Sequence, residues 1–182
     1  PRSPYAASKV AGEHLLESWA HSYNLETVSL RYFNVFGPRQ PAGSAYAAAV
    51  PRFCEAIAAG QRPVIYGDGE QTRDFTFVAC AVLATMQAGG VERPLAGEVV
   101  NIGSGKRVSI GEVARQIAEV YGRTDLLPEH QPVRAGDVRH SLADITRARE
   151  LLGYQPFIAM PEGLAITIDW AKETARNRQP GQ

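Results

Sequence analysis

Residues 3–37 change period once, from helical to extended, and that change limits the chain to a layered arrangement of helices and strands. Ser3 is a natural helix N-cap and Pro4 suits the first helical position. Leu15, Leu16, Trp19 and Tyr23 then recur at helical spacing with Glu13, Glu17 and Ser18 among them, which predicts a long amphipathic helix from Tyr5 to about Tyr23, ended by Asn24. The segment 27–33 is rich in β-branched and aromatic residues and stops at Asn34-Val35-Phe36-Gly37-Pro38, the pattern of a strand entering a loop. Helix followed by strand predicts a parallel α/β layer.

Further along, Ala45 to Ala59 predicts a second helix that Pro51 bends or restarts. Pro63–Tyr66 and Arg73–Val78 read as short strands around the Gly67-Asp68-Gly69 turn. A helix over Ala81–Ala88 ends at Gly89-Gly90, and Glu98–Gly103 reads as a strand. Ser109 with Glu112 three residues on forms a capping-box pattern for a helix to Tyr121. The stretch from Leu127 to Asp137 reads as irregular. A short helix from Ile145 to Leu152 closes at Gly153, a last helix covers Pro161–Thr174, and the tail after Arg176 is expected to be loose.

The 182 residues, 45% of them hydrophobic, suffice for a buried core. Lys plus Arg and Asp plus Glu number 19 each, so no net charge argues for nucleic acid as a partner. The apolar runs Ala45–Pro51 and Val78–Met86 are far shorter than a membrane span and no leader opens the chain, so no membrane association and a cytoplasmic location are expected. Cys54 and Cys80 read as buried thiols, not staples, and the four histidines show no metal-ligand spacing.

Chemistry begins at Tyr5 and Lys9, four residues apart and therefore on one helix face. A phenol with a pKa of about 10 is a poor base at neutral pH, but a nearby ammonium favours the phenolate. Such a pair can move a proton to or from an alcohol.

Four ordered blocks give this pair a context. Ser3-Pro4-Tyr5-Ala6-Ala7-Ser8-Lys9, the segment 30–40 from Leu30-Arg31-Tyr32 to Pro38-Arg39-Gln40, the segment 67–75 from Gly67-Asp68-Gly69 to Arg73-Asp74-Phe75, and Arg134-Ala135-Gly136-Asp137-Val138-Arg139 resemble the second half of an extended short-chain dehydrogenase/reductase of the nucleotide-sugar epimerase and dehydratase group. Within it, segments 45–51 and 136–141 most resemble UDP-N-acetylglucosamine 4-epimerases of bacterial polysaccharide biosynthesis.

The resemblance implies an α/β fold: the C-terminal portion of a Rossmann-like parallel sheet plus a small α/β substrate-binding domain. Residues 1–37 would be the remnant of the NAD-binding domain. Residues 38–182 would be mainly the nucleotide-sugar domain, with strands near 73–78 and 98–103 returning to the Rossmann-like sheet. It further implies Tyr5 as catalytic base, Lys9 on the nicotinamide ribose, Phe33 beside the nicotinamide, and Asn34 on the nucleotide-sugar phosphates. Arg73 and Arg134 would bind the uridine diphosphate, Phe75 would flank the nucleotide and Asp137 would touch ribose; a guanidinium fork suits diphosphate oxygens. Ser141 stands where relatives restricted to UDP-glucose and UDP-galactose can carry a bulky tyrosine, so its small side chain leaves room for an N-acetyl group.

The activity so implied is NAD-dependent C4 oxidation of a UDP-sugar, rotation of the 4-keto sugar and re-reduction, in a homodimer formed through the helix that carries Tyr5. UDP-glucose 4-epimerase, a dehydratase or decarboxylase of the same fold, and a non-catalytic UDP-sugar-binding fragment are the alternatives. The sequence departs from the family in three places. It contains no G-x-x-G-x-x-G turn for NAD, and the family's Ser or Thr partner to the tyrosine would lie before Tyr5. Ala79 and Cys80 follow Phe77-Val78, where relatives usually carry acidic residues that cap the next helix. The expectation is therefore a C-terminal portion that neither retains NAD nor turns over alone.

Overall fold

The structure, a computed structural model, describes residues 1, 3–41, 49–134 and 136–177. Helix α1 (Pro4–Tyr23) opens on Ser3, whose Oγ accepts from the Ala6 amide at 3.1 Å, and closes on Asn24 in the left-handed conformation (φ 54°). Strands β1 (Thr27–Tyr32) and β2 (Val35–Phe36) follow, then α2 (Ala49–Ala58), which carries Pro51 in its first turn. Strands β3 (Val64–Tyr66), β4 (Thr72–Arg73) and β5 (Thr76–Phe77) lead to α3 (Val78–Gly89). Strands β6 (Ala96–Ile102) and β7 (Val108–Ser109) precede α4 (Ile110–Tyr121); β8 (Glu129–Gln131), α5 (Thr146–Leu152) and α6 (Met160–Asn177) complete the chain. The Ala45–Ala48 part of the second expected helix, Ala135 of the fourth sequence block and the tail beyond 177 lie outside the described residues.

The fold is α/β with a parallel Rossmann-like sheet and helices. β1 and β6 pair in parallel from Val28 opposite Glu98 to Tyr32 opposite Ile102, and the Phe33 amide extends the ladder by donating to the Ile102 carbonyl at 2.8 Å. β2 pairs in parallel with β5, and β3 with β8. β4 pairs antiparallel with β7. The expected strand over 73–78 is thus two short strands serving different partners, with Asp74 and Phe75 between them. The stretch expected to be irregular contains β8, whose polar side chains carry no strand signal because it is held by backbone bonds to β3.

The core forms where α2, α4, α5 and α6 meet these strands, around Phe36, Ile57, Ile102, Ile117, Tyr154 and Leu164. Gly163 lets α6 lie directly on two rings: a Cβ there would stand 2.7 Å from Phe77 and 2.9 Å from Phe36. Cys54 and Cys80 are both free and buried. Helix α4 starts with the Ser109 Oγ accepting from the Glu112 amide at 3.1 Å, half of the capping box; the Glu112 carboxylate turns instead to Arg115 and Gln116.

The inward stripe of α1 differs from the one its apolar spacing predicts. Ala6, Val10, Glu13, Leu16 and Ala20 are the more covered positions, whereas Leu15, Trp19 and Tyr23 are exposed. The helix is set on its strands by close backbone contacts, since a Cβ on Gly97 would stand 2.6 Å from the Glu17 Cα.

Candidate active site

Two polar contacts fix α1 along β1. The Arg31 guanidinium donates to both oxygens of Glu13, at 2.7 and 2.6 Å, and the Thr27 hydroxyl donates to the Leu16 carbonyl at 3.1 Å. The hydrogen bond from Arg31 holds the Glu13 carboxyl below the usual range. Position 13 is therefore level with position 31. Moving back along the helix at 1.5 Å per residue puts Tyr5 about 12 Å beyond Glu13. Moving forward along the strand puts Asn34 about 10 Å beyond Arg31 in the same sense. Tyr5, Lys9, Phe33 and Asn34 thus gather at the carboxyl edge of the parallel pair, where open α/β sheets place ligand contacts.

At that edge Tyr5 is 71% exposed, and the Lys9 Nζ lies 5.4 Å from the centre of its ring. The phenol and the ammonium share one open face. Phe33 is half-buried. Asn34 is exposed with φ 21°, a turn that redirects the chain from β1 to β2, and its carbonyl accepts from the Thr76 amide at 3.2 Å.

A second cluster holds cations. Arg73, on β4, donates to the Asp137 carboxylate at 2.5 Å and to the Thr72 carbonyl at 2.9 Å. Arg134 lies with its guanidinium carbon 3.6 Å from the centre of the Tyr66 ring. Segment 137–141 is clipped to β4 and to the Gly67-Asp68-Gly69 turn by backbone and side chains together. The Thr72 amide donates to the Arg139 carbonyl at 3.0 Å, the Ser141 amide donates to the Thr72 carbonyl at 3.1 Å, and the Thr72 hydroxyl meets the His140 Nδ1 at 3.0 Å. Arg139 forks onto Asp68 at 2.9 and 2.8 Å, which with the Glu70 amide holds that carboxyl below its ordinary range. Ser141 is thereby held beside the strand that carries Arg73.

Phe75 stands elsewhere than its expected place at the nucleotide. It is buried in the core, edge-on to Phe36 with centroids 6.3 Å apart, because the chain between β4 and β5 turns its ring inward.

Four contributors escaped the sequence reading. Tyr66 forms the platform under Arg134, and Arg139 with Asp68 makes the clip. Asp74 is fully buried and accepts from the Ser104 amide at 2.7 Å, the Ser104 hydroxyl at 2.6 Å, the Gly105 amide at 2.9 Å and the Ala143 amide at 3.2 Å. It joins the strand of Arg73 to the turn after β6 and to the segment after Ser141. The signal lay in Gly103-Ser104-Gly105, a run able to offer several donors to one carboxylate: a Cβ on Gly103 would stand 2.7 Å from the Asp74 Oδ2.

With this geometry in view, the likeness to known proteins is extensive. Residues 1–167 match the protein-family model for GDP-mannose 4,6 dehydratase. The chain is 43% identical over 177 residues to a UDP-glucose 4-epimerase of Mycolicibacterium smegmatis, covering 97% of this chain and 55% of that one. Among solved structures, a UDP-N-acetylglucosamine 4-epimerase of Methanobrevibacter ruminantium in complex with UDP-N-acetylmuramic acid superposes with a TM-score of 0.89 at 40% identity, over 96% of this chain and 55% of that one. A UDP-glucuronic acid 4-epimerase of Bacillus cereus, in complex with UDP-glucuronic acid and NAD, superposes with a TM-score of 0.87 at 32% identity, over 96% and 54%. The chain spans about half the length of the curated relatives it matches.

Proposed function

The chain belongs to the GDP-mannose 4,6 dehydratase family of NAD-dependent nucleotide-sugar epimerases and dehydratases, and from that premise we propose that it supplies the proton-transfer pair and the nucleotide-holding half of a UDP-sugar 4-epimerase. The observation that carries this is the Tyr5–Lys9 pair, open to solvent at the carboxyl edge of the parallel pair, 5.4 Å from ring centre to ammonium. Tyr5 takes the proton of the sugar 4-hydroxyl and returns it, and Lys9 holds the nicotinamide ribose. Asn34 meets the nucleotide-sugar phosphates, Arg73 and Arg134 hold the uridine diphosphate, Asp137 touches ribose and Ser141 borders the sugar. Phe75 contributes from the core, packed edge-on to Phe36. Residues 1–37 belong to the NAD-binding unit and 38–182 mainly to the substrate unit, with β5 and β6 returning to the first.

The residues at the sheet edge fit the nicotinamide end of NAD: an exposed phenol and ammonium, with Phe33 half-buried beside the edge. The 182 residues contain no glycine-rich turn for its pyrophosphate. NAD, when bound, supplies the redox capacity for C4; this chain's residues position the sugar and move the proton. A non-catalytic UDP-sugar-binding chain, with the arginines functional and Tyr5 idle, is the second reading, supported by the Arg73–Asp137 and Arg134–Tyr66 contacts that this chain carries by itself. For the sugar, the matched relatives range over UDP-glucose, UDP-glucuronate and UDP-N-acetylglucosamine. They favour a broader UDP-sugar 4-epimerase, with UDP-glucose as the first substrate to try, over the N-acetyl-specific enzyme that Ser141 suggested. The exposed Leu15–Trp19–Tyr23 stripe on α1 supports a homodimer through that helix, testable by sedimentation.

Titration calorimetry of the 182-residue chain with UDP and UDP-glucose, beside an epimerase assay with added NAD, tests this assignment. Binding without turnover is the expected result. Absence of UDP binding would overturn the roles of Arg73 and Arg134, and a measured epimerase rate would overturn the inactivity of the chain alone. In a polypeptide that joins this chain to an NAD-binding half, Tyr5→Phe should abolish turnover and leave UDP binding intact.

A further inference from the structure

A groove of about 1060 Å³ runs between α2 and α6, and none of Tyr5, Asn34, Arg73, Arg134, Asp137 or Ser141 lines it. Its accessible apolar wall comes from Ala58 on α2 and from Trp170, Ala171 and Ala175 on α6, with Val50, Cys54 and Ile57 buried behind it. Around this wall stand four cations, Arg39, Arg123, Lys172 and Arg176, against one acid, Glu55. Arg123 is committed to Asp125 by bonds of 3.0 and 2.9 Å, and Lys172 rests 4.9 Å from the centre of the Tyr121 ring and donates to the Val120 carbonyl at 3.5 Å. Arg39 and Arg176 have neither an ion pair nor a hydrogen bond among the described residues. Lys172 and Arg176 are four apart on one helix and so lie on the same face, beside the groove. Arg39 sits in the left-handed region at φ 70°, a conformation disfavoured for a side chain of its size.

An apolar wall with an aromatic ring and surplus positive charge matches one chemical class. We propose that this groove binds an organic anion with an apolar body, such as a medium-chain acyl carboxylate or alkyl phosphate. Its chain lies along Ala58 and Trp170, and its headgroup is met by Arg39, Lys172 and Arg176. The volume accommodates a small organic ligand, and cations outnumber acids four to one among the described lining residues, which suits an anionic headgroup. The site is independent of the nucleotide cluster.

Trp19 and Trp170 are the chain's two tryptophans, so Trp19→Phe leaves Trp170 as the only indole in the protein. Emission from Trp170 is followed while octanoate, octyl phosphate or neutral octanol is added, each below its micellar concentration. Saturable quenching by at least one anion, about fivefold tighter than any response to octanol, is expected. The paired change Arg39→Gln and Arg176→Gln should erase that preference. Ala175→Phe, on an exposed lining position, should block the groove without altering charge, with circular dichroism verifying the fold of each variant. Octanol matching both anions, no response to either anion, or unchanged affinity in the variants would overturn the assignment. UDP titrated into the same samples reports the nucleotide cluster separately, so failure at one site is distinguishable from failure at the other.

Discussion

Arg31 holds Glu13 by both arms of its guanidinium, at 2.7 and 2.6 Å, and this fork sets where along β1 the helix of Tyr5 lies. Arg31 is half exposed and Glu13 largely covered, so the pair sits at the upper end of what surface pairs contribute, about 1 kcal/mol. Because the folded carboxyl titrates below its unfolded value of about 4.3, the stabilisation is fully present above that pH and is lost as pH falls through the lower folded value. Glu13→Gln should therefore lower stability at pH 7 by about 1 kcal/mol and by less near pH 3. Urea unfolding at both pH values reads the difference.

Removing the Asp74 carboxylate would take the shared acceptor from four donors at once, on half-buried Ser104, exposed Gly105 and buried Ala143. Asp74→Ala is expected to cost about 3 kcal/mol in denaturant unfolding. Asp74→Asn should recover part of that loss, since it keeps one acceptor.

Arg73→Ala should weaken UDP binding about tenfold or more, because a charge-assisted contact to the diphosphate is lost. The Tyr66 platform predicts a similar direction for Tyr66→Ala, through Arg134. Calorimetry with UDP measures both, and unchanged affinity in either variant would remove that residue from the nucleotide cluster.

Burial pushes the Cys54 thiol up to about 12, so little thiolate exists at pH 8. Iodoacetamide should leave Cys54 unmodified in the folded chain and alkylate it in urea, as peptide mass analysis would show.

Helix α3 begins at Val78 with no side-chain cap and no acid in its first turn. Ala79→Asp should raise stability by about 0.5 kcal/mol through the helix dipole. Thermal unfolding of the single variant checks it.

Much of this architecture was legible because local rules and tertiary packing agree. Ser3 and Ser109 cap the helices their positions announce, Gly153 closes α5 in the left-handed region, and the β-branched run at 27–32 is a parallel strand. The misreadings arise where contacts outweigh pattern. β8 is polar, and only its backbone pairing with β3 makes it a strand. On α1, the small residues Ala6 and Ala20 face the sheet with Glu13 and Leu16, leaving Leu15, Trp19 and Tyr23 outside. At the candidate site, the Tyr5–Lys9 pair follows from helical spacing alone. The partners of Arg73 and the donors of Asp74 come from segments about 30 to 70 residues away, which no local period can reveal.

The most direct test is a crystal structure of the chain with UDP-glucose. The predicted result places the sugar 4-hydroxyl about 2.6–3.2 Å from the Tyr5 phenol oxygen, with the diphosphate on Arg73 and Arg134. A nucleotide sugar seated with its 4-hydroxyl away from Tyr5, or bound apart from both arginines, would contradict it.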